Sequence, residues 1–386
     1  MESMEDPEAL PVEVWHRIMR FLAPDDFYAL KCVCSSWAHY AKSDGPWIAY
    51  MHQFFGTRYE KVKFVADPTL SWMDKFWRTT RLHQNWKKGT CSTSFLGGTL
   101  GVVRQIRMNG DTLAINTGQQ LKVFDLNKNK SIWHLNDEIP LGYPIPTFDL
   151  WGNLLLMPGS SDHSSLTMMD ITTGKRAMSI ATNQSIAVVR HCPVGSWFAS
   201  GGRKIQVWDP NHTSTPQLTL QEQHRGVVNC LEIDQNTITA CHKGKKIRMW
   251  DIRSGERILT LSGHNHLIHC IALNSHHIAS GSKDATIRLW DRRKTESSTV
   301  LTGHTRPVRA LVMDDWKIVS GGREHTIMVW DVAQQKRMFK LTELEGTHAL
   351  ALNETHLYVG SSSLVRHDFT PKIRGKIEST FDCALS

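Results

Sequence analysis

Residues 262–291 read SGHNHLIHCIALNSHHIASGSKDATIRLWD, and residues 302–331 repeat the plan as TGHTRPVRALVMDDWKIVSGGREHTIMVWD. His264 stands 26 positions before Trp290, His304 stands 26 before Trp330, and the step between the two units is 40 residues. Inside the first unit, short apolar runs at 268–272, 277–279 and 286–290 are separated by Gly, Ser, Asp and Lys. Runs of this length bounded by turn residues are strands rather than helices. A single unit of about four strands cannot bury both of its faces, whereas several units stacked about an axis can.

A Gly-His…Trp-Asp unit at this period resembles the WD-repeat family, and the resemblance implies one blade of a β-propeller per unit. The strand ends can be followed along the chain at Phe124-Asp125, Met169-Asp170, Trp208-Asp209, Trp250-Asp251, Trp290-Asp291, Trp330-Asp331 and His367-Asp368. The steps between these aspartates are 45, 39, 42, 40, 40 and 37 residues, so seven blades are expected. The first, second and seventh ends lack Trp, and there the count rests on spacing. Closure requires a further strand beside the last blade, because an open end leaves unpaired edges. Residues 91–96 and 376–381 are the two candidates, and the first is preferred because N-terminal strand closure is common in the family.

The 386 residues suit a propeller with a small extra module. No apolar run reaches the length of a membrane helix, so no membrane span is expected. The acidic start, MESMEDPEALP, has no apolar core and does not read as a secretory signal. Eight cysteines occur with no C-x-x-C pair, which suggests reduced thiols in a cytoplasmic or nuclear protein. The net charge of +8 divides unevenly, at −4 over residues 1–60, +5 over 61–90 and +7 over the remainder. Such asymmetry points to modules with different partners.

In the stretch LPVEVWHRIMRFLAPDDFYALKCVCSSWAHYAKSDGPWIAY (10–50), Val14, Ile18, Phe21 and Leu22 share one helix face. Pro24 ends that helix, Asp25 or Asp26 caps the next, and Leu30, Val33, Cys34 and Trp37 form a second apolar stripe. So short a module cannot bury all of this surface, which calls for a partner. The order Leu10-Pro11, Ile18, Leu22, Pro24, Leu30, Val33, Trp37, Trp47 resembles the F-box. The resemblance implies docking of an SKP-type adaptor, and through it a cullin, by Leu10, Pro11, Ile18, Leu22, Leu30, Val33 and Trp37. Residues 70–88 contain no Gly or Pro and carry Trp72, Phe76 and Trp77 at near-helical spacing, so a linking helix ending at Gly89 is expected. Its cations read as a solvated face, with a phosphate-binding surface as the alternative. The expected organisation is a disordered start at 1–9, F-box at 10–56, helical linker at 57–90 and propeller at 91–386. The chain is thus mainly β: a seven-bladed WD-repeat propeller behind a small all-α F-box domain.

His264, Ser280 and Asp284 invite a catalytic reading, but the WD-repeat resemblance implies a buried hydrogen-bond network completed by Trp290, and the pattern recurs with His304, Ser320, Glu324 and Trp330. His276-His277 supplies too few ligands for a metal site. Gly97-Gly98 and Gly101 lack the Lys-Ser/Thr of a phosphate loop. No catalytic residue, metal or cofactor is expected. In the family, two positions per blade reach the central channel: the fifth residue after the histidine (Asn229, His269, Arg309) and the residue before the turn acid (Lys243, Lys283, Arg323), with Arg203 at a shorter turn. Arg309 and Arg323 match arginines that grip phosphate in related F-box/WD-repeat proteins, and guanidinium suits that task because it bonds two oxygens at once. The resemblance implies a non-catalytic substrate receptor of an SCF ubiquitin ligase, holding a protein substrate through a phosphorylated or acidic segment. The alternatives are a non-ligase WD-repeat scaffold and a nucleic-acid-binding propeller. The second is motivated by net charge and 14 Trp, most of which have structural explanations.

Overall fold

The computed structural model describes residues 44–56, 60, 62, 65–96, 101–118, 120–128, 130–134, 145–159, 163–211, 215–220, 226–294 and 298–371. The seven expected adaptor-docking positions and the alternative closing strand at 376–381 lie outside them. Two units are distinguished, a helical one that includes Phe369 and a β unit spanning Cys91–Asp368.

In the helical unit, α1 is Asp44–Phe55 and α2 is Trp72–Lys88. The absence of Gly and Pro allows α2 to run uninterrupted between its caps. The Ser71 hydroxyl accepts from the Asp74 N–H at the start, and Gly89 takes φ 70° at the end, donating its N–H to the Asn85 carbonyl. The apolar stripe of α2 packs on α1: Phe76 lies 5.4 Å from Trp47 and 5.9 Å from Tyr50, ring centre to ring centre. All three rings are buried. The expected linker helix is therefore part of the same unit as the end of the F-box. Phe369 differs from expectation, since the propeller was read as running to 386. The last strand ends at Asp368, and Phe369 stacks on Trp86 at 3.7 Å while Asn85 donates to its carbonyl at 2.9 Å.

The β unit holds seven four-stranded antiparallel sheets. Blades 1 to 6 span residues 105–134, 149–181, 188–220, 228–262, 268–301 and 308–342. Blade 7 combines 349–368 with Ser92–Phe95, which pairs with Leu364–Asp368 in the register Ser92↔Asp368 to Phe95↔Val365. The strand ends read from the sequence terminate the third strand of each blade. First strands of neighbouring blades lie side by side in a closed circle, including the seventh against the first.

One buried residue opens the first strand of each blade: Val103, Ile145, Ile186, Val228, Ile268, Val308 and Thr347. In six of these seven the N–H donates to a carbonyl of the preceding blade, as in Val228 to Gly202 (2.8 Å), Ile268 to Gly244 (3.2 Å), Thr347 to Gly322 (2.9 Å) and Val103 to Ser361 (2.6 Å). Its side chain packs where the preceding blade keeps a small residue. A Cβ on Gly360 would meet Val103 at 2.6 Å, and one on Gly281 would meet Val308 at the same distance. Glycine is needed there for close approach of the blades, not for backbone conformation.

Within blade 5, the Trp290 indole N–H donates to Ser280 Oγ at 2.9 Å, and Ser280 Oγ meets His264 Nε2 at 2.8 Å. His264 Nδ1 meets Asp284 at 3.0 Å. Blade 6 repeats this with Trp330, Ser320, His304 and Glu324. Burial lowers the pKa of His264 against the pull of Asp284. Burial, reinforced by Arg337, takes His304 down to about 4. Burial opposes ionisation of Asp284, but bonds from Thr286 and His264 hold its carboxyl well below the usual carboxylate range. A neutral imidazole thus donates to a carboxylate and accepts from serine, and the indole N–H, the serine hydroxyl and both imidazole nitrogens of each relay are satisfied. Ser280 and Ser320 are wholly buried, so neither hydroxyl meets a substrate.

Ser280→Ala removes the shared partner of Trp290 and His264, and an equilibrium urea titration is expected to register a loss of about 1–3 kcal/mol. At the closing seam, burial works against a charged His367, but its bonds to Cys91 and Glu343 raise it to about 9. The pairing therefore stabilises fully below the ordinary histidine pKa of about 6.5, and its contribution fades as pH rises through about 9. The urea midpoint of the wild type should fall relative to that of His367→Gln across this window; parallel pH profiles would contradict the assignment.

Candidate functional site

The first strands wall a central channel, and their shared starting point makes their positions comparable. One residue after the buried opener come Arg104, Pro146, Ala187, Asn229, His269, Arg309 and His348 in blades 1 to 7. At Asn229, His269 and Arg309 the register with the second strand shifts by one residue, leaving each unpaired in the ladder. A bulge of this kind re-aims a side chain, and here it serves the channel. Arg104, Asn229, His269, Arg309 and His348 all line one channel cavity of about 150 Å³.

The ring is polarised. Blades 5, 6, 7 and 1 contribute His269, Arg309, His348 and Arg104, whereas blades 2 to 4 contribute Pro146, Ala187 and Asn229. Burial and the neighbouring Arg323 push the Arg309 guanidinium below its ordinary pKa, and its Nε is buried with no hydrogen-bond partner among the described residues. Burial lowers His269, with Arg309 and Lys283 adding to the effect. Burial likewise lowers His348, helped by Arg309, Arg323 and Arg104 and opposed by Glu345. Among the described residues none of Arg104, Lys283, Arg309 or Arg323 forms an ion pair, so their field is unneutralised there.

Deeper in the channel the electrostatics reverse character. Four residues after the openers of blades 1 to 4 stand Arg107, Asp149, Arg190 and Glu232, alternating in sign. Arg107 Nε lies 3.2 Å from Asp149, and Arg190 Nε lies 3.1 Å from Glu232. Arg107 also reaches Glu232 at 3.7 Å, while His191 bonds Asp149 at 2.6 Å. In blades 5 to 7 the same position holds Ala272, Val312 and Ala351. Burial raises Glu232 to about 7 despite Arg107, with Asp149 adding repulsion. The floor is therefore self-neutralised and the mouth is not.

Of the residues expected from the sequence, Arg309, His269 and Asn229 line the cavity, though the Asn229 amide is engaged with the Ile268 carbonyl at 2.6 Å. Arg323 and Lys283 are exposed turn residues whose charges act on Arg309 and His269. Lys243 and Arg203 are exposed and do not line it. Arg104 and His348 escaped the sequence reading because blades 1 and 7 lack the Gly-His landmark. Counting from the buried opener, Val103 or Thr347, would have found them. His276 and His277 stand with their rings at 89° and 6.4 Å apart, and no group of three or more His, Cys, Asp or Glu able to hold a metal occurs among the described residues.

Arg107→Met leaves Asp149 and Glu232 without their common counter-charge. It is expected to lower unfolding free energy by about 3 kcal/mol at pH 8 in urea titrations, and by less at pH 5, where Glu232 takes up a proton. An equal loss at both pH values would contradict the described floor.

The F-box-like family model matches residues 7–48, and the WD domain, G-beta repeat model matches 255–291 and 295–331. A search of curated proteins finds no match to the chain. Each matched repeat covers the fourth strand of one blade and the first three of the next. No helix among the described residues is long and apolar enough to cross a membrane. The F-box-like match at its start and the two WD-repeat matches within a seven-bladed propeller are consistent with an F-box/WD-repeat protein.

Proposed function

We propose that this protein is the substrate-recognition subunit of an SCF-type ubiquitin ligase. The F-box-like segment docks an SKP-type adaptor, and through it a cullin, using Leu10, Pro11, Ile18, Leu22, Leu30, Val33 and Trp37. The propeller captures a protein substrate at the channel mouth through an acidic or phosphorylated segment. The observation that carries this reading is the pairing, in one chain, of an F-box-like match with a propeller whose mouth presents unneutralised cations. The receptor contributes no chemistry of its own. It holds the substrate near a loaded conjugating enzyme and so raises the effective concentration of the acceptor lysine. The buried Ser280 and Ser320 support a receptor over a hydrolase.

Co-purification of the full chain with a recombinant SKP-type adaptor tests the first half. A stoichiometric complex is expected, and Leu10→Asp/Pro11→Ala should abolish it while leaving the propeller's thermal transition in place. A well-folded wild type that captures no adaptor would overturn the ligase reading and leave a WD-repeat scaffold.

A further inference from the structure

The closing seam carries a side-chain cluster that strand pairing alone does not require. Cys91 stands just ahead of the closing strand, Ser92–Phe95, and Thr93 of that strand is directly opposite His367. Side chains alternate along an extended chain, so Cys91, Thr93 and Phe95 share one face with His367. His367 Nδ1 lies 3.8 Å from Cys91 Sγ and 3.0 Å from Thr93 Oγ1, while its Nε2 lies 2.6 Å from Glu343 Oε1. Glu343 directly follows the last strand of blade 6, so three separate segments meet at one imidazole. The imidazole is buried, whereas Cys91 is only partly so. A nucleophile, a titratable ring within its reach and a carboxylate that orients the ring form the arrangement that activates a thiol.

Other described thiols are placed differently. Cys192, Cys230 and Cys270 each donate to a backbone carbonyl, which can hold a thiol proton but cannot take it. Burial pushes the thiols of Cys241 and Cys270 well above their ordinary range. At His367 burial opposes the charge, yet the bonds to Cys91 and Glu343 raise the ring to about 9, so near neutral pH it carries both protons. A protonated histidine beside a cysteine is the setting in which thiols become reactive.

We propose that Cys91 is a nucleophilic site for covalent modification by an α,β-unsaturated carbonyl compound, with His367 as the acid that completes the addition and Glu343 as the residue that positions His367. Sulfur supplies the electron pair for the new S–C bond at the β carbon. The π pair of the C=C bond shifts to the α carbon, and the Nδ1 proton is delivered there. The proton released from sulfur replaces it on the ring, so the net step adds S–H across the double bond with no further reactant. Phe95, 64% exposed on the same face, offers apolar surface to a carbon electrophile, which a peroxide would not use. The proposal is independent of adaptor docking and substrate capture.

N-ethylmaleimide is a suitable probe. The full chain is labelled at pH 7, folded and unfolded in urea, and the adduct at Cys91 is followed over time by peptide mass spectrometry. Labelling of Cys91 is expected to be about tenfold faster in the folded chain, although folding makes the residue less accessible. His367→Gln should bring the folded rate to that of the unfolded chain or below, and Glu343→Gln should lower it at least about threefold. Melting curves confirm that each variant is folded. The sign of these changes separates the roles. If His367 and Glu343 only hold the seam together, their replacement exposes Cys91 and labelling speeds up. Folded wild type that labels no faster than the unfolded chain overturns the proposal, and so does a folded His367→Gln variant that labels as fast as wild type or faster.

Discussion

Pairing of Ser92–Phe95 with the last strand, Leu364–Asp368, is the constraint on which the rest of the β unit depends. A sequence repeat here runs from the outer strand of one blade through three strands of the next, so the register of repeats is offset from the register of blades. In blade 7 the fourth place, beside Leu364–Asp368, is taken by Ser92–Phe95 from ahead of blade 1. Closure removes the open edge and forces Val103 against Gly360, which completes the circle of buried openers. His367 ties the seam further through Thr93, Cys91 and Glu343.

Closure also explains the site. Once the seven openers are fixed on a circle, residues at equal distance along each first strand stand at equal depth in the channel. Sequence variation at one such depth gives the cationic mouth, and variation three residues further on gives the alternating floor. The bulges after Val228, Ile268 and Val308 turn what would be ladder residues toward the channel. The fold thereby converts single substitutions in separate repeats into one shared electrostatic surface.

Much of this was legible in the sequence for a physical reason. The Trp-Asp ends recur because strand, turn and buried network recur, and that periodicity identified seven third strands, including those of blades 1, 2 and 7 where the Trp is absent. The helix at Trp72–Lys88 was legible from aromatic spacing and the terminal Gly89. Phe369 was not, because nothing local distinguishes an aromatic that continues a sheet from one that stacks on Trp86. Arg309, His269 and Asn229 were found through the histidine landmark. Arg104 and His348 share their position but not the landmark, and the paired floor needs neighbours about 40 residues apart, which only the closed circle brings together.

One measurement bears most directly on the claim that two ends of this chain join an adaptor to a substrate. Beads carrying a degenerate phosphoserine peptide library are mixed with recombinant SKP-type adaptor in the presence of the full chain, and retained adaptor is quantified. Adaptor retention is predicted with the wild type, and it should be lost with either Arg309→Glu or Leu10→Asp although each variant remains folded. Retention that survives Arg309→Glu, or its absence with folded wild type, would contradict the account.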